Sequence, residues 1–166
     1  MKIIASISIL VLYFFTFSSY ANIENKKSDI QHFIETNECV NCDLSRAKLE
    51  RSNHDNANLM GSLLAMANIS SSQFNQANFQ DANLEYVKAE SIIARYCNFT
   101  NADLRKANFS HANLGGCDFT NANLNKVMFY HANLYKAKIS EEQLKQVERL
   151  DCAIMPDGSM HAGAYC

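Results

Sequence analysis

The chain has 166 residues, with 15 Lys or Arg against 17 Asp or Glu, a formal net charge of −2, and 48% hydrophobic residues. That length suits one domain with a real core, and near-neutrality argues against nucleic-acid affinity or strong steering of charged ligands.

The first 21 residues read as a secretory signal peptide. Lys2 precedes a charge-free run from Ile3 to Tyr20, and Ser19 and Ala21 supply small residues at the −3 and −1 positions of a cleavage site. The most apolar part ends at Phe17, short of the roughly 20 residues that a spanning helix needs, so no stable membrane insertion is expected after cleavage. An uncleaved signal anchor is the alternative. No cysteine closely follows the apolar run, which argues against a lipoprotein anchor. The chain is therefore expected in the periplasm or outside the cell. Cleavage leaves 145 residues with 14 basic against 17 acidic groups, and all six cysteines lie where disulfides persist.

Residues 22–40 form the approach to the main domain. Ser28-Asp29-Ile30-Gln31 has the S-x-x-Q pattern of a capping box opening a short helix, with Ile30, Phe33 and Ile34 on one face. The C-x-x-C pair Cys39 and Cys42 follows. Thioredoxin chemistry would need a βαβ setting and zinc two further ligands nearby, so a structural disulfide is the favoured reading.

From 41 to 140 the sequence keeps a five-residue period without an insertion, as in FTNADLRKANFSHANL. With the central residue of each unit called i, twenty units fit, and i is Leu or Phe in fifteen. Position i−2 is Ala in eleven units and Cys or Ser in six, and Asn or Asp stands between the two in thirteen. The period matches neither a helix nor a simple alternating strand, and such self-similarity means stacked repeats. On a short extended segment i−2 and i share a face, one small and one large, so both point inward while the turn-prone polar residue between them faces out. Columns align at a spacing of twenty: Leu44, Leu64, Leu84, Leu104 and Leu124 form one, and Phe79, Phe99 and Phe119 belong to another.

The A-(N/D)-L-x-x unit resembles the signature of the pentapeptide-repeat family over about 100 residues. The resemblance implies an all-β solenoid, a right-handed quadrilateral β-helix with four units per coil. Twenty units make about five coils, a rod roughly 20–25 Å long. In EYVKAESIIARYCNF the large residue moves to i−2 (Val87, Ile92) and the small one to i (Ala89, Ala94), an exchange that conserves volume. His54 at an i position is expected to be partly wet near the end of the rod. A β-helix exposes edges and core at both ends, so short helical caps are expected there.

Residues 141–166 supply the second cap. Ser140-Glu141-Glu142-Gln143 is another capping box, followed by Leu144, Val147 and Leu150 at spacing three, and Pro156-Asp157-Gly158 forces a turn. The segment around AIMPDGS is similar to the one that follows the last coil in this family. Cys152 and Cys166 flank this tail and could tie it down, although six cysteines formally allow fifteen connectivities. Cys97 and Cys117 replace Ala at inward positions and are expected to stay reduced, because side chains in register on parallel strands meet bridge geometry poorly.

Nothing in the sequence identifies a catalytic constellation or a cofactor motif. His111 and His131 stack at i+2 of adjacent coils and are weak metal candidates, two ligands short of a dedicated site. Met66 and Tyr86 share an outward column near Leu63 and Met60, a candidate partner patch. The reading is an exported, non-enzymatic structural or protein-binding module with no cofactor and a protein partner of unknown identity. The family resemblance also implies an alternative, a DNA mimic that binds type II topoisomerase. That activity relies on an acidic rod, whereas residues 41–140 carry ten basic against eight acidic residues. A secreted effector acting on a host protein is a third possibility.

Overall fold

The computed structural model describes residues 23–163 and 166, so the export segment expected over 1–21 lies outside the described residues. From Glu38 onward the chain winds as a right-handed, four-sided β-helix. Each unit forms one side of the square, and its i−1 residue bridges in parallel to the residue twenty further on, as in Asp43 to Leu63 to Asn83 to Asp103 to Asn123. We number the sides by their inward i residues. Side one carries Leu44 to Leu124, side two Leu49 to Phe129, side three His54 to Leu134, and side four Cys39 to Ile139.

The corners explain the period. In most units the N–H of the first residue closes a turn on the preceding i carbonyl, as in Ala47 to Leu44 at 3.0 Å and Val87 to Leu84 at 3.1 Å. Position i+2, the third residue of that turn, has positive φ in every unit from Arg46 to Lys136, the type II arrangement. The outward Asn or Asp at i−1 fixes the same corner, because its side-chain oxygen accepts from the N–H of i+1: Asn83 from Glu85 at 3.0 Å, Asn98 from Thr100 at 3.0 Å, Asn133 from Tyr135 at 2.9 Å.

The inward columns make one continuous core. Phe79, Phe99 and Phe119 stack with centroids 4.9 and 5.0 Å apart and planes within 5° of parallel. Val87, Ala89, Ile92 and Ala94 are all buried, so the large and small positions do exchange within the same volume. The buried serine and free cysteine side chains are satisfied locally. Ser62 donates to Leu59 O at 2.6 Å, and the buried, unpaired thiols of Cys97 and Cys117 donate to Phe74 O and Ala94 O at 2.9 and 2.8 Å.

Residues 23–36 form helix α1, which lies over the mouth of the rod. The helix is already running five residues before Ser28, so Ser28 and Gln31 sit within it and do not cap it, contrary to expectation. Of its expected apolar face, Phe33 is fully buried and Ile30 packs on the core, but Ile34 points to solvent. Phe33 also corrects the expectation for His54, which is only 4% exposed between the rings of Phe33 and Phe74, at centroid distances of 4.5 and 5.1 Å. Its Nδ1 lies 2.7 Å from Asn37 Oδ1, and its buried Nε2 has no partner. Burial holds its pKa below the ordinary histidine value.

The ladder extends past 41–140 in both directions, from Glu38 to Ile154. Helix α2, Glu141–Leu144, has the expected capping box, with Gln143 N donating to Ser140 Oγ at 3.2 Å and Ser140 N to Gln143 Oε1 at 3.0 Å. It is a single turn, so Val147 and Leu150 lie beyond it, and the chain resumes the coil one residue out of step, with Met128 bridging Arg149 and Asn133 bridging Ile154. A turn at Pro156-Asp157-Gly158 folds Met160 back antiparallel to Ile154. Disulfides close both ends: Cys39–Cys42 spans the first corner with Cα atoms 5.3 Å apart, and Cys152–Cys166 ties down the tail with Cα atoms 5.2 Å apart.

On side one both caps substitute side chains for missing backbone. Inside the rod the i−1 N–H donates to a carbonyl of the preceding coil, as Leu63 does to Cys42 O at 2.8 Å. At the first rung the Asp29 carboxylate accepts from Asp43 N at 2.9 Å instead. At the last, the Gln143 amide donates to Ala122 O at 2.9 Å and Phe119 O at 2.6 Å while its own N–H serves the capping box.

Two outcomes follow from the caps. Gln143→Ala removes the donor from the ladder carbonyl of Ala122 and a second donor from Phe119 O, which also closes a turn with Ala122 N, and should cost about 1–3 kcal/mol in denaturant unfolding. Gln143→Glu, which preserves the capping box, should cost at least as much; wild-type stability in that variant would mean that Gln143 serves α2 alone. For His54, a folded-state pKa below the unfolded value means a contribution that is complete above about pH 6.5 and lost as pH falls below it. The melting temperature should therefore drop as the pH falls below about 6.5, and His54→Phe should flatten that slope.

Candidate functional site

The residues that can act on other molecules stand at the corners, because i+1 and i+2 project outward while the sides are flat. Met60 follows side four, Leu63 lies on side one, Met66 follows side one, and Tyr86 stacks one coil above Met66. They are 37%, 46%, 49% and 41% exposed, so the four expected patch residues present apolar surface across side one and the two corners that flank it. Val40, one coil below Met60 and 41% exposed, extends the patch. Sequence reading missed it because it fell in the presumed cap, although its spacing of twenty from Met60 marks it.

A charged rim borders the patch. Arg105 bonds Asp103 at 2.7 Å and Glu85 at 3.1 Å, and its hydrogen bond holds the Asp103 carboxyl below the usual range. Lys106 lies over the Tyr86 ring, 4.5 Å from its centroid, and donates to its hydroxyl; that bond raises the lysine pKa. On side four Lys138 bonds Asp118 at 2.8 Å, and with Thr120 it lowers the aspartate pKa to about 2. These exposed pairs orient side chains more than they stabilise the fold.

His111 and His131 meet, with ring centroids 5.2 Å apart and planes 8° from parallel. Nitrogen lone pairs lie in the ring planes, so two parallel stacked rings do not converge on one ion in this arrangement. Tyr130 packs edge-on against both rings, and Arg149 lies 4.6 Å from the Tyr130 centroid. Among the described residues no group of three or more His, Cys, Asp or Glu is placed to hold a metal. Burial pushes the Cys97 thiol well above its ordinary pKa, which makes it a poor nucleophile.

A second feature lies at the corner between sides three and four, diagonal to the Met66 and Tyr86 corner and separated by side four from the Val40 and Met60 corner. Tyr96, Tyr135 and Ile93 are exposed there, around a unit whose two corner residues are both glycine, Gly115 and Gly116. The double glycine is the signal that sequence reading passed over. Among the described residues no helix is long and apolar enough to cross a membrane.

The sequence profile described as "Pentapeptide repeats (8 copies)" matches residues 42–81, 82–121 and 102–140. A solved pentapeptide repeat protein from the Arabidopsis thaliana thylakoid lumen is 22% identical, over 64% of this chain and 72% of that one, with a TM-score of 0.51, a likeness of fold. HetL, a pentapeptide repeat protein involved in heterocyst differentiation regulation from the cyanobacterium Nostoc, is 29% identical over 75% of this chain and 64% of that one, with a TM-score of 0.33. A pentapeptide repeat protein from the cyanobacterium Cyanothece is 22% identical over 78% and 99% of the two chains, with a TM-score of 0.43. No curated protein matches the chain.

Proposed function

Since the chain belongs to the pentapeptide-repeat family, we propose that it works outside the cytoplasm as a non-enzymatic rod that docks a protein partner on the Val40, Met60, Leu63, Met66 and Tyr86 face. The carrying observation is that five apolar side chains stand exposed together on a surface otherwise rich in Asn, Lys and Asp. An apolar centre with the Glu85, Asp103, Arg105 and Lys106 rim has the anatomy of a protein interface, where a few anchors carry most of the affinity. The export reading rests on Lys2, the charge-free run and Ser19-Tyr20-Ala21, and two disulfides suit an oxidising compartment. The net positive charge of the solenoid opposes a DNA-mimic role.

Protein recovered from its native host should begin at Asn22, as read by N-terminal sequencing; a cytoplasmic chain starting at Met1 would overturn the localisation. Substituting both Met66 and Tyr86 with Lys should weaken partner capture by at least about thirtyfold, the loss of one strong anchor, with circular dichroism and melting unchanged. Undiminished capture by that variant would sink the patch.

A further inference from the structure

We propose that the notch at the corner between sides three and four is a binding site for a linear acidic glycan, a chain of sugars bearing carboxylates.

The notch encloses about 270 Å³. Every other unit of the rod carries at least one side chain at its corner, but Gly115 and Gly116 leave this one bare. The two glycines do different things. Gly116 has φ +74°, and a Cβ there would lie 2.4 and 2.6 Å from Tyr96 Cδ1 and Cε1, so its bareness lets the Tyr96 ring lie flat on the backbone. At Gly115 a Cβ would meet only Asn113 Oδ1 and Tyr135 O, both at 3.5 Å, an ordinary contact on a backbone without positive φ. Neither conformation nor crowding calls for glycine at 115; what its bareness supplies is open space.

Two rings wall that space, one from the coil below and one from the coil above. Tyr96 rests on Gly116, and Tyr135 rests on Gly158 of the C-terminal turn, where a Cβ would come within 3.3 Å of its Cε2. Both rings are exposed, 59% and 45%, yet each is seated by a bare backbone. Cations flank them: the Arg95 guanidinium lies 5.2 Å from the Tyr96 centroid and bonds its hydroxyl at 3.2 Å, and Lys136 Nζ lies 5.1 Å from the Tyr135 centroid. Asn113 and Asn133 complete the lining. Their oxygens accept from Gly115 N at 3.4 Å and Tyr135 N at 2.9 Å, which leaves the NH₂ groups as the uncommitted ends.

The chemistry of the occupant follows from this set. No carboxylate lines the notch, and its free polar groups are overwhelmingly donors, two of them cationic. A complementary ligand is rich in acceptors, carries negative charge, and has an apolar face to lay on an aromatic ring. A pyranose offers such a face, because its axial C–H groups present positive edges to the negative face of tyrosine. A second depression of about 400 Å³ continues along the rod past Ile93 and Asn75, sharing Arg95, Tyr96 and Asn113 with the first. Its one acid, Asp55, is engaged by Asn75 N and Nδ2 at 2.7 and 3.0 Å. The two depressions make a groove with room for more than one sugar, which suits a chain better than a monosaccharide.

The test is calorimetric titration of the purified protein with trigalacturonate, with maltotriose as the neutral counterpart and a glutamate oligopeptide as the acidic non-sugar. Trigalacturonate should bind saturably and at least about tenfold more tightly than either comparator, with affinity falling as salt rises. Gly115→Leu should fill the notch and cut binding by at least about tenfold while leaving the melting temperature unchanged, because its Cβ fits the backbone. Tyr96→Ala and Tyr135→Ala should each weaken binding, and Arg95→Gln should erase the preference for the acidic trisaccharide. The proposal is overturned by absence of saturable binding at millimolar trigalacturonate, by equal affinity for maltotriose, by wild-type affinity in Gly115→Leu, or by the peptide binding as well as the sugar. That last result would assign the notch to acidic peptides.

Discussion

The whole rod depends on a left-handed residue recurring every fifth position. A backbone with positive φ at an ordinary L-residue costs on the order of 1–2 kcal/mol, and here Arg, Met, Tyr, Lys and His accept it at i+2, with glycine at only Gly61 and Gly116 within the repeats. The cost is offset because the same residue's N–H joins the inter-coil ladder, as Met66 does to Glu85 O at 2.9 Å, while the next N–H closes the turn. Most corners are therefore over-determined: by the ladder, by the turn bond, and, in the thirteen units with Asn or Asp at i−1, by a side chain placed to hold the N–H of i+1. Where i−1 is another residue, as Leu63 is before the Met66 corner, the ladder and the turn bond hold the corner without it. That redundancy explains how the chain turns the same corner with so many different side chains in place.

The same constraint separates core from surface. Positions i−2 and i are locked inward, so the twenty-residue columns bear the packing, whereas i+2 is carried outward at a corner by its own strained dihedral. Met66, Tyr86, Tyr96, His111 and His131, the most conspicuous surface groups of the molecule, are all positive-φ residues at i+2. They can be exchanged without touching the Leu and Phe columns behind them. Fold and activity are thereby decoupled residue by residue, the physical form of the general rule that function resides in sites carried by a fold.

The repeat was legible from residues because it is local: inward Ala and Leu two apart, an outward Asn between them, and a spacing of twenty that puts Leu44 under Leu64. The exchange at Val87/Ala89 and Ile92/Ala94 was legible as volume conservation. The ends were less so, since a cap is judged by what it covers. Ser28 and Gln31 have the pattern of a helix start, but α1 begins earlier and its anchor is Phe33, whose ring roofs His54. Gln143 has the pattern of a helix cap, and it is one, yet its amide also terminates the ladder at Ala122 O. The partial sixth coil was hidden because α2 inserts one residue and breaks the spacing of twenty. Among the surface groups, the patch from Met60 to Tyr86 is visible in the column alignment. The Tyr96 notch escaped it, because absence of a side chain at 115 and 116 gives a hydropathy pattern nothing to detect.

Rigidity is what makes so sparse a surface useful. Groups in one column rise by one strand spacing per coil, about 4.8 Å, and are held by ladder bonds on both sides. A ligand engaging Val40 and Met60, or Tyr96 and Tyr135, therefore meets groups whose separation is already set, and little ordering cost is taken from the binding energy. The notch lies at the corner between sides three and four, diagonal to Met66 and Tyr86 and separated by side four from Val40 and Met60. On the readings proposed above, the rod would bridge a protein on side one and a glycan at that corner. The two surfaces share no side chain, and the stiff ladder between them fixes their distance apart.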